Sequence, residues 1–235
     1  LIADMGPPEN RGSVREFLED DLGVHLQWFE IPEAYRLIQT DPAHAMNVKI
    51  HYGVDRFVND IASAVPGSRE AVARYVDLCL EVVDAITYLG ESRGKPDRKV
   101  LMSRYGNLLK TAAYTVDDVE KRLNVPDRAL EIFHALWTYL GCPTSRLNFT
   151  VFAAMMAKLI VYGGYIPRHR SHEFTSAVEA RIRELGGTTE FNTRVEQILV
   201  DNGQVTGVVT SKGERIATRH VVSNASPTLV YNRLI

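Results

Sequence analysis

Two arginines and two histidines fall within five residues in Arg168-His169-Arg170-Ser171-His172, with Glu173 next and a helical pattern directly after. The free N–H groups at the start of a helix favour an anion, and four cationic or titratable side chains add positive charge there. The pattern therefore reads as an anion-binding or proton-handling loop. The alternative is an exposed polar loop in which Ser171 or Glu173 merely caps the helix. The other five histidines are scattered. Cys79 and Cys142 are the only thiols, both in apolar helical surroundings and without CxxC or Cys/His spacing, so they read as buried free cysteines and no metal site is expected. No two glycines stand two apart, which excludes GxGxxG, and GxxxxGK, HExxH, GxSxG and EF-hand loops are also missing.

These residues must be positioned by surrounding elements, and the apolar periodicity outlines them. Ser13-Val-Arg-Glu16 has the form of a capping box opening a helix that runs to about Gly23. Val24–Glu30 and Met46–Tyr52 alternate like strands. Val54, Phe57, Val58 and Ile61 form one helical stripe over 54–65, Pro66-Gly67-Ser68 ends it, and Ser68 caps a long helix over 69–90. Further helices are expected at 98–111, at 116–123 behind Thr115-Val-Asp-Asp118, at 127–140 and at 145–161. The apolar run Phe149–Val161, interrupted by Thr150 and Lys158, is too short for a bilayer span and predicts a buried helix, with a lipid-facing or substrate-facing surface as the other reading.

After Gly163-Gly164 the pattern changes. A short segment at 165–167 leads into a helix over 172–185 that stops at Gly186-Gly187. From there the period is two: 188–191, 195–201, 204–211, 214–217 and 220–223 read as short strands, with turns at Asp201-Asn-Gly-Gln204 and Ser211-Lys-Gly213. The expected class is α+β or α/β: a largely helical region over 1–162, then a strand-helix-strand and β-meander portion over 163–235. Composition fits a globular protein, with 45% hydrophobic and 24% charged residues in 235. With 27 basic against 29 acidic residues, a broad nucleic-acid surface has no electrostatic support. The start at Leu1 and the stop at Ile235 inside an apolar segment suggest a piece of something larger.

The ordered blocks Gly163-Gly-Tyr-Ile-Pro167, Glu184-Leu-Gly-Gly187, Phe191-Asn-Thr-Arg-Val-Glu-Gln-Ile198, Gly203-Gln-Val-Thr-Gly-Val208 and Val221-Val-Ser-Asn-Ala-Ser-Pro227 resemble the middle of the phytoene desaturase and carotenoid isomerase-like flavoproteins, within the FAD-dependent amine oxidase and desaturase superfamily. Gly53-Val-Asp-Arg-Phe57, Val65-Pro-Gly-Ser68 and Ala135-Leu-Trp-Thr-Tyr-Leu-Gly141 agree with it, so the likeness runs from about Ser13 to Ile235. The resemblance implies a helical substrate-side region and a partial FAD-binding domain. It also implies FAD as cofactor, adenine contact at the backbone of Val195 beside Arg194, and a loop at Ser223-Asn224-Ala225 near the dinucleotide, for which a plain helix cap is the alternative. Tyr165, Arg168, His169, Arg170, Ser171 and His172 would line the substrate side.

Two departures stand out. His169 and Arg170 occupy positions where the family carries paired glycines, which suggests a polar or anionic substrate or a remodelled site. The GxGxxG segment and the segment that closes over the flavin are not in this sequence, so the FAD site is expected to be incomplete, completed by missing segments or a second chain. The implied activity is hydride transfer between flavin and an apolar or amphipathic small molecule. An amine or amino-acid oxidase, or a non-catalytic binding or scaffolding module, are the alternatives. The expected location is the cytoplasm, with peripheral membrane association left open.

Overall fold

The computed structural model describes residues 2–235; Leu1, read above as a cut edge, lies outside them. The chain divides into two compact units, the first reaching Val178 and the second covering Glu179–Ile235. The first begins with β1 (Ile2–Ala3) and α1 (Ser13–Glu16), which widens into a π-turn at Phe17–Asp21. Strands β2 (Trp28–Glu30), β3 (Glu33–Gln39) and β4 (Met46–His51) follow. The helices are α2 (Val54–Ala64), α3 (Arg69–Glu91), α4 (Arg98–Arg104), α5 (Gly106–Thr111), α6 (Val116–Leu123), α7 (Asp127–Phe133) and α8 (Phe149–Tyr162). A 3-10 turn, His134–Leu140, extends α7. Then come β5 (Gly164–Pro167) and α9 (Ser171–Glu184), whose last residues fall in the second unit. The second unit continues with β6 (Val195–Asp201), β7 (Gln204–Thr210), β8 (Arg215–Ala217) and a closing turn of α10 (Pro227–Leu229) and a π-turn, Val230–Leu234.

The result is the expected α+β class, about half helical with small antiparallel sheets. The stripe on α2 buries Phe57, Val58 and Ile61, while α3 buries Val72, Tyr75, Val76, Cys79 and Val82. Phe133 sits edge-on to both Phe57 and Tyr75, at 5.3 and 4.8 Å between centroids. The apolar run lies at the centre as α8, with Phe149, Phe152, Met156 and Ile160 buried, as predicted for a core helix. Among the described residues no helix is long and apolar enough to cross a membrane.

Several local expectations change. Gly12, not Ser13, stands at the N-cap of α1, and the Ser13 hydroxyl donates to Asp4 Oδ2 instead of closing a capping box with Glu16. The Ser68 side chain accepts no cap hydrogen bond, and its buried Oγ has no partner. At Thr115 and Asp118 the capping box is complete. The helix expected over 98–111 breaks at Tyr105, which leaves helical geometry at φ −118° and ψ +34° just before Gly106; its ring is buried and its hydroxyl donates to Asp84. The helix expected over 127–140 tightens at His134, and the one expected from Ser145 starts at Phe149 behind Asn148, whose side chain accepts the Thr150 N–H. Strand β3 was not expected; its apolar residues do not alternate cleanly, and its antiparallel pairing with β4 decides it.

The strands expected at 188–191 and 220–223 are irregular, with no neighbouring strand among the described residues. The meander β6-β7-β8 forms as expected. β5, α9 and β6 also follow in the expected order, although β5 joins β1 and β2 in one sheet and β6 opens another.

Candidate functional site

In the first unit the candidate site is assembled about β5, the central strand between β1 and β2. Tyr165 lies opposite Ile2 and Glu30, Gly164 opposite Ala3, and Pro167 opposite Trp28. Gly163 leads into the strand at φ +65° and ψ −168°, a conformation that glycine alone adopts readily, with the Tyr52 ring at ordinary contact distance from where a Cβ would stand.

Asp4, directly after β1, takes the left-handed conformation at φ +60°. Its Oδ2 accepts the Ser13 hydroxyl and Lys158 Nζ, each at 2.5 Å, while Oδ1 is buried without a partner. Lys158 is the one charge in the apolar run of α8, and this pair explains it. Arg15 is buried; its guanidinium lies 5.3 Å from the Tyr165 ring centroid, and its Nε is 3.7 Å from Glu19 without a hydrogen bond. Burial pushes the Tyr165 phenol up, Glu30 adds to this, and Arg15 opposes it. Burial, with Glu30 and Tyr165 adding, pushes the Tyr52 phenol up to about 12, and its hydroxyl has no partner. Trp28 packs tilted against Phe174, with its indole N–H also buried and unpaired.

Among the described residues seven buried side-chain polar atoms lack a partner. Four of them, on Asp4, Arg15, Trp28 and Tyr52, belong to residues packed about β5. Each orphan costs about 1–3 kcal/mol unless something polar, ordered water included, satisfies it.

Of the residues expected on the substrate side, Tyr165 is in this cluster. Arg168, His169, Arg170, Ser171 and His172 form an exposed turn instead. The Arg168 guanidinium donates to Gln27 Oε1 at 2.8 Å, and the His169 N–H donates to Glu173 Oε2 at 2.7 Å. Glu173 thus ties the start of α9, in line with the capping alternative. Arg170 adopts φ +69°, the left-handed bend that glycine takes most readily, so the bend forms with arginine in place.

In the second unit, Arg194 has its N–H bonded to Ser211 Oγ and its C=O accepting the Ser211 N–H, at 3.1 and 2.7 Å. Val195, the first residue of β6, stands opposite Thr210, and the register of β6 against β7 shifts between Val195 and Gln197. The Arg194 side chain is occupied by Glu196 at 2.8 Å. Ser223 Oγ accepts the Ala225 N–H at 3.2 Å, making a compact turn that holds Asn224 exposed; the cap position before Pro227 is Ser226, whose side chain makes no cap bond.

The fold is one that other proteins share. It matches an oxidoreductase from Methanosarcina mazei over 88% of this chain and 42% of that one, at 13% identity and TM-score 0.52. It also matches a Rab GDI from Plasmodium falciparum over 93% of this chain and 48% of that one, at 14% identity and TM-score 0.55. This chain therefore spans less than half the length of either neighbour. No family model matches the sequence, and no curated protein matches it either. Sequence reasoning missed Asp4, Arg15, Glu30 and Tyr52. Lys158, a lone charge inside an apolar helix, was the signal that could have led to Asp4.

Proposed function

We propose that this chain is the central part of an FAD-dependent oxidoreductase, desaturase-, saturase- or isomerase-like, that moves a hydride between flavin and an apolar or amphipathic small molecule. The observation that carries the proposal is the group of unpartnered buried polar atoms about β5, on a fold shared with an oxidoreductase over most of the chain. In this reading the backbone at the start of β6, at Val195, would meet adenine, and Ser223, Asn224 and Ala225 form an exposed turn available to the dinucleotide. Bound flavin would supply the hydride acceptor or donor. The chain's own part is to exclude water and to hold Tyr165, Tyr52, Arg15 and the Asp4–Lys158 pair as polar anchors for the substrate among apolar walls. Their phenols stay protonated at neutral pH and act as donors.

Arg168, His169, Arg170, Ser171 and His172, exposed on the unit's surface, would guide a polar end of the substrate rather than wall its apolar part. The same reading has further segments or a second chain completing the flavin site, in a cytoplasmic protein that meets membranes peripherally. A second reading, a non-catalytic binding module, is favoured by the likeness to a Rab GDI.

The test is the visible spectrum of the protein carrying this chain after FAD is added, together with Val195→Pro. Proline at that position, the first residue of β6, removes the backbone N–H offered to the base and is tolerated best at a strand's first residue. A flavin absorption band in the parent, and FAD affinity about tenfold weaker in the variant, are expected. The absence of any flavin band would leave the non-catalytic reading, and unchanged affinity in Val195→Pro would remove the adenine assignment.

A further inference from the structure

The orphaned polar atoms about β5 differ in kind. Arg15 Nε and Trp28 Nε1 carry N–H groups that only donate, and the Tyr52 hydroxyl, kept protonated by its burial, has a proton to give. Asp4 Oδ1 is the one atom among them that only accepts, and Gly12 covers it: a Cβ built on Gly12 would stand 2.7 Å from this oxygen. What remains about the strand is a set of donors.

These donors gather on Tyr165. Its ring centroid lies 5.3 Å from the Arg15 guanidinium. The Tyr52 and Tyr165 rings share a corner, 3.5 and 3.7 Å from the place a Cβ at Gly163 would take. Trp28 and Tyr165 stand on the same face of the sheet, since Trp28 is opposite Pro167 and Glu30 opposite Tyr165, two residues apart on each strand. Met5, Leu18 and Phe174 are the apolar surroundings. Arg15 is 4% exposed and Tyr52 7%, so bulk solvent does not answer them.

The charges nearby select among acceptors. Glu19 stands 3.7 Å from Arg15 Nε, and Glu30 and Glu9 both act on the Tyr165 phenol. An incoming anion would meet these carboxylates, and a cation offers the donors no lone pair. A neutral oxygen with two lone pairs and no proton of its own satisfies donors without adding charge.

We infer that this corner of the sheet receives the carbonyl oxygen of a neutral small molecule, a ketone on an apolar body. The inference rests on the oxidoreductase reading, for which it names the chemistry of the substrate. The oxygen accepts from the donor set about Tyr165, and the carbon body lies against the apolar side chains of the same face.

The test follows the Trp28 indole N–H by proton–nitrogen correlation NMR in the full chain without FAD, the resonance being assigned with Trp28→Phe. Cyclohexanone, sodium cyclohexanecarboxylate and cyclohexylammonium chloride are titrated separately. A saturable downfield shift is expected with cyclohexanone, and binding about fivefold weaker, or none, with the other two. Tyr52→Phe removes a hydroxyl without a partner among the described residues, so it should fold as the parent does and bind cyclohexanone about fivefold more weakly. No saturable shift, the result expected where water alone satisfies the donors, would overturn the inference. So would tighter binding of the carboxylate or the ammonium, or a cyclohexanone affinity that Tyr52→Phe leaves unchanged. The outcome is separate from the flavin spectrum: a flavin band without the indole shift removes the ketone and leaves the oxidoreductase reading, whereas the shift without a band supports the ketone site alone.

Discussion

Replacing Tyr75 by Phe removes one hydroxyl and leaves the packing of α3 in place, so it isolates the contribution of a single buried hydrogen bond. The ring keeps its neighbours Phe133 and Phe149 at 4.8 and 5.9 Å, and no methylene-sized void appears. What is lost is a 2.6 Å donor to a buried carboxylate, leaving His134 as the other donor to Glu120 Oε1. Burial pushes the Tyr75 phenol well above its ordinary value, with Glu120 contributing, so the hydroxyl stays protonated and donating. Hydrogen bonds to charged partners contribute about 1.5–3 kcal/mol, and part of this is offset because Phe has no hydroxyl to desolvate. The expected loss is about 1.5–2 kcal/mol. In a Glu120→Gln background the acceptor is neutral and the same substitution should cost about 1 kcal/mol or less, giving a coupling of roughly 1 kcal/mol. Native-state hydrogen exchange of the α3 and α8 amides measures both legs of this one cycle. A Tyr75→Phe loss below about 0.5 kcal/mol, or the same loss in both backgrounds, would refute the reasoning.

The Tyr52 phenol, raised by burial, ionises in the folded chain near 12 and in the unfolded chain near ~10. Its contribution is thus whole below about pH 10 and is lost as pH rises through the folded value, because the unfolded chain releases its proton first. Tyr52→Phe should flatten this part of the alkaline loss, read from urea unfolding against pH and tyrosinate absorbance. Cys79 is fully buried and its thiol pushed up by burial, while Cys142 is partly exposed, so a thiol reagent under native conditions should label Cys142 and reach Cys79 only on unfolding, as peptide mapping would show. A Cβ at Gly12 would stand 2.3 Å from the Asp4 carbonyl oxygen, so Gly12→Ala should cost about 3 kcal/mol or more and disturb the Asp4–Ser13–Lys158 contacts, checked by denaturation and by the Lys158 ammonium resonance.

The helices were legible because their information is local. The stripe on α2, the Thr115–Asp118 box and the apolar run of α8 each state their own structure within a few turns, and the period of two with its glycine turns states the β6-β7-β8 meander. Where a neighbour distant in sequence decides, the local signal misleads. Ser13 has the spacing of a cap and instead donates to Asp4, and β3 becomes a strand through its partner β4.

The candidate site divides along the same line. Tyr165 and the backbone at Val195 could be reached from ordered blocks in the sequence. The partners Asp4 and Lys158, and the Tyr75–Glu120–His134 group, are separated by 154 and by 45 and 14 residues along the chain. Composition and periodicity determine which faces are apolar and hence which elements form. Only tertiary packing decides which polar groups are taken out of water together, and it is their shared desolvation that turns separate side chains into a site.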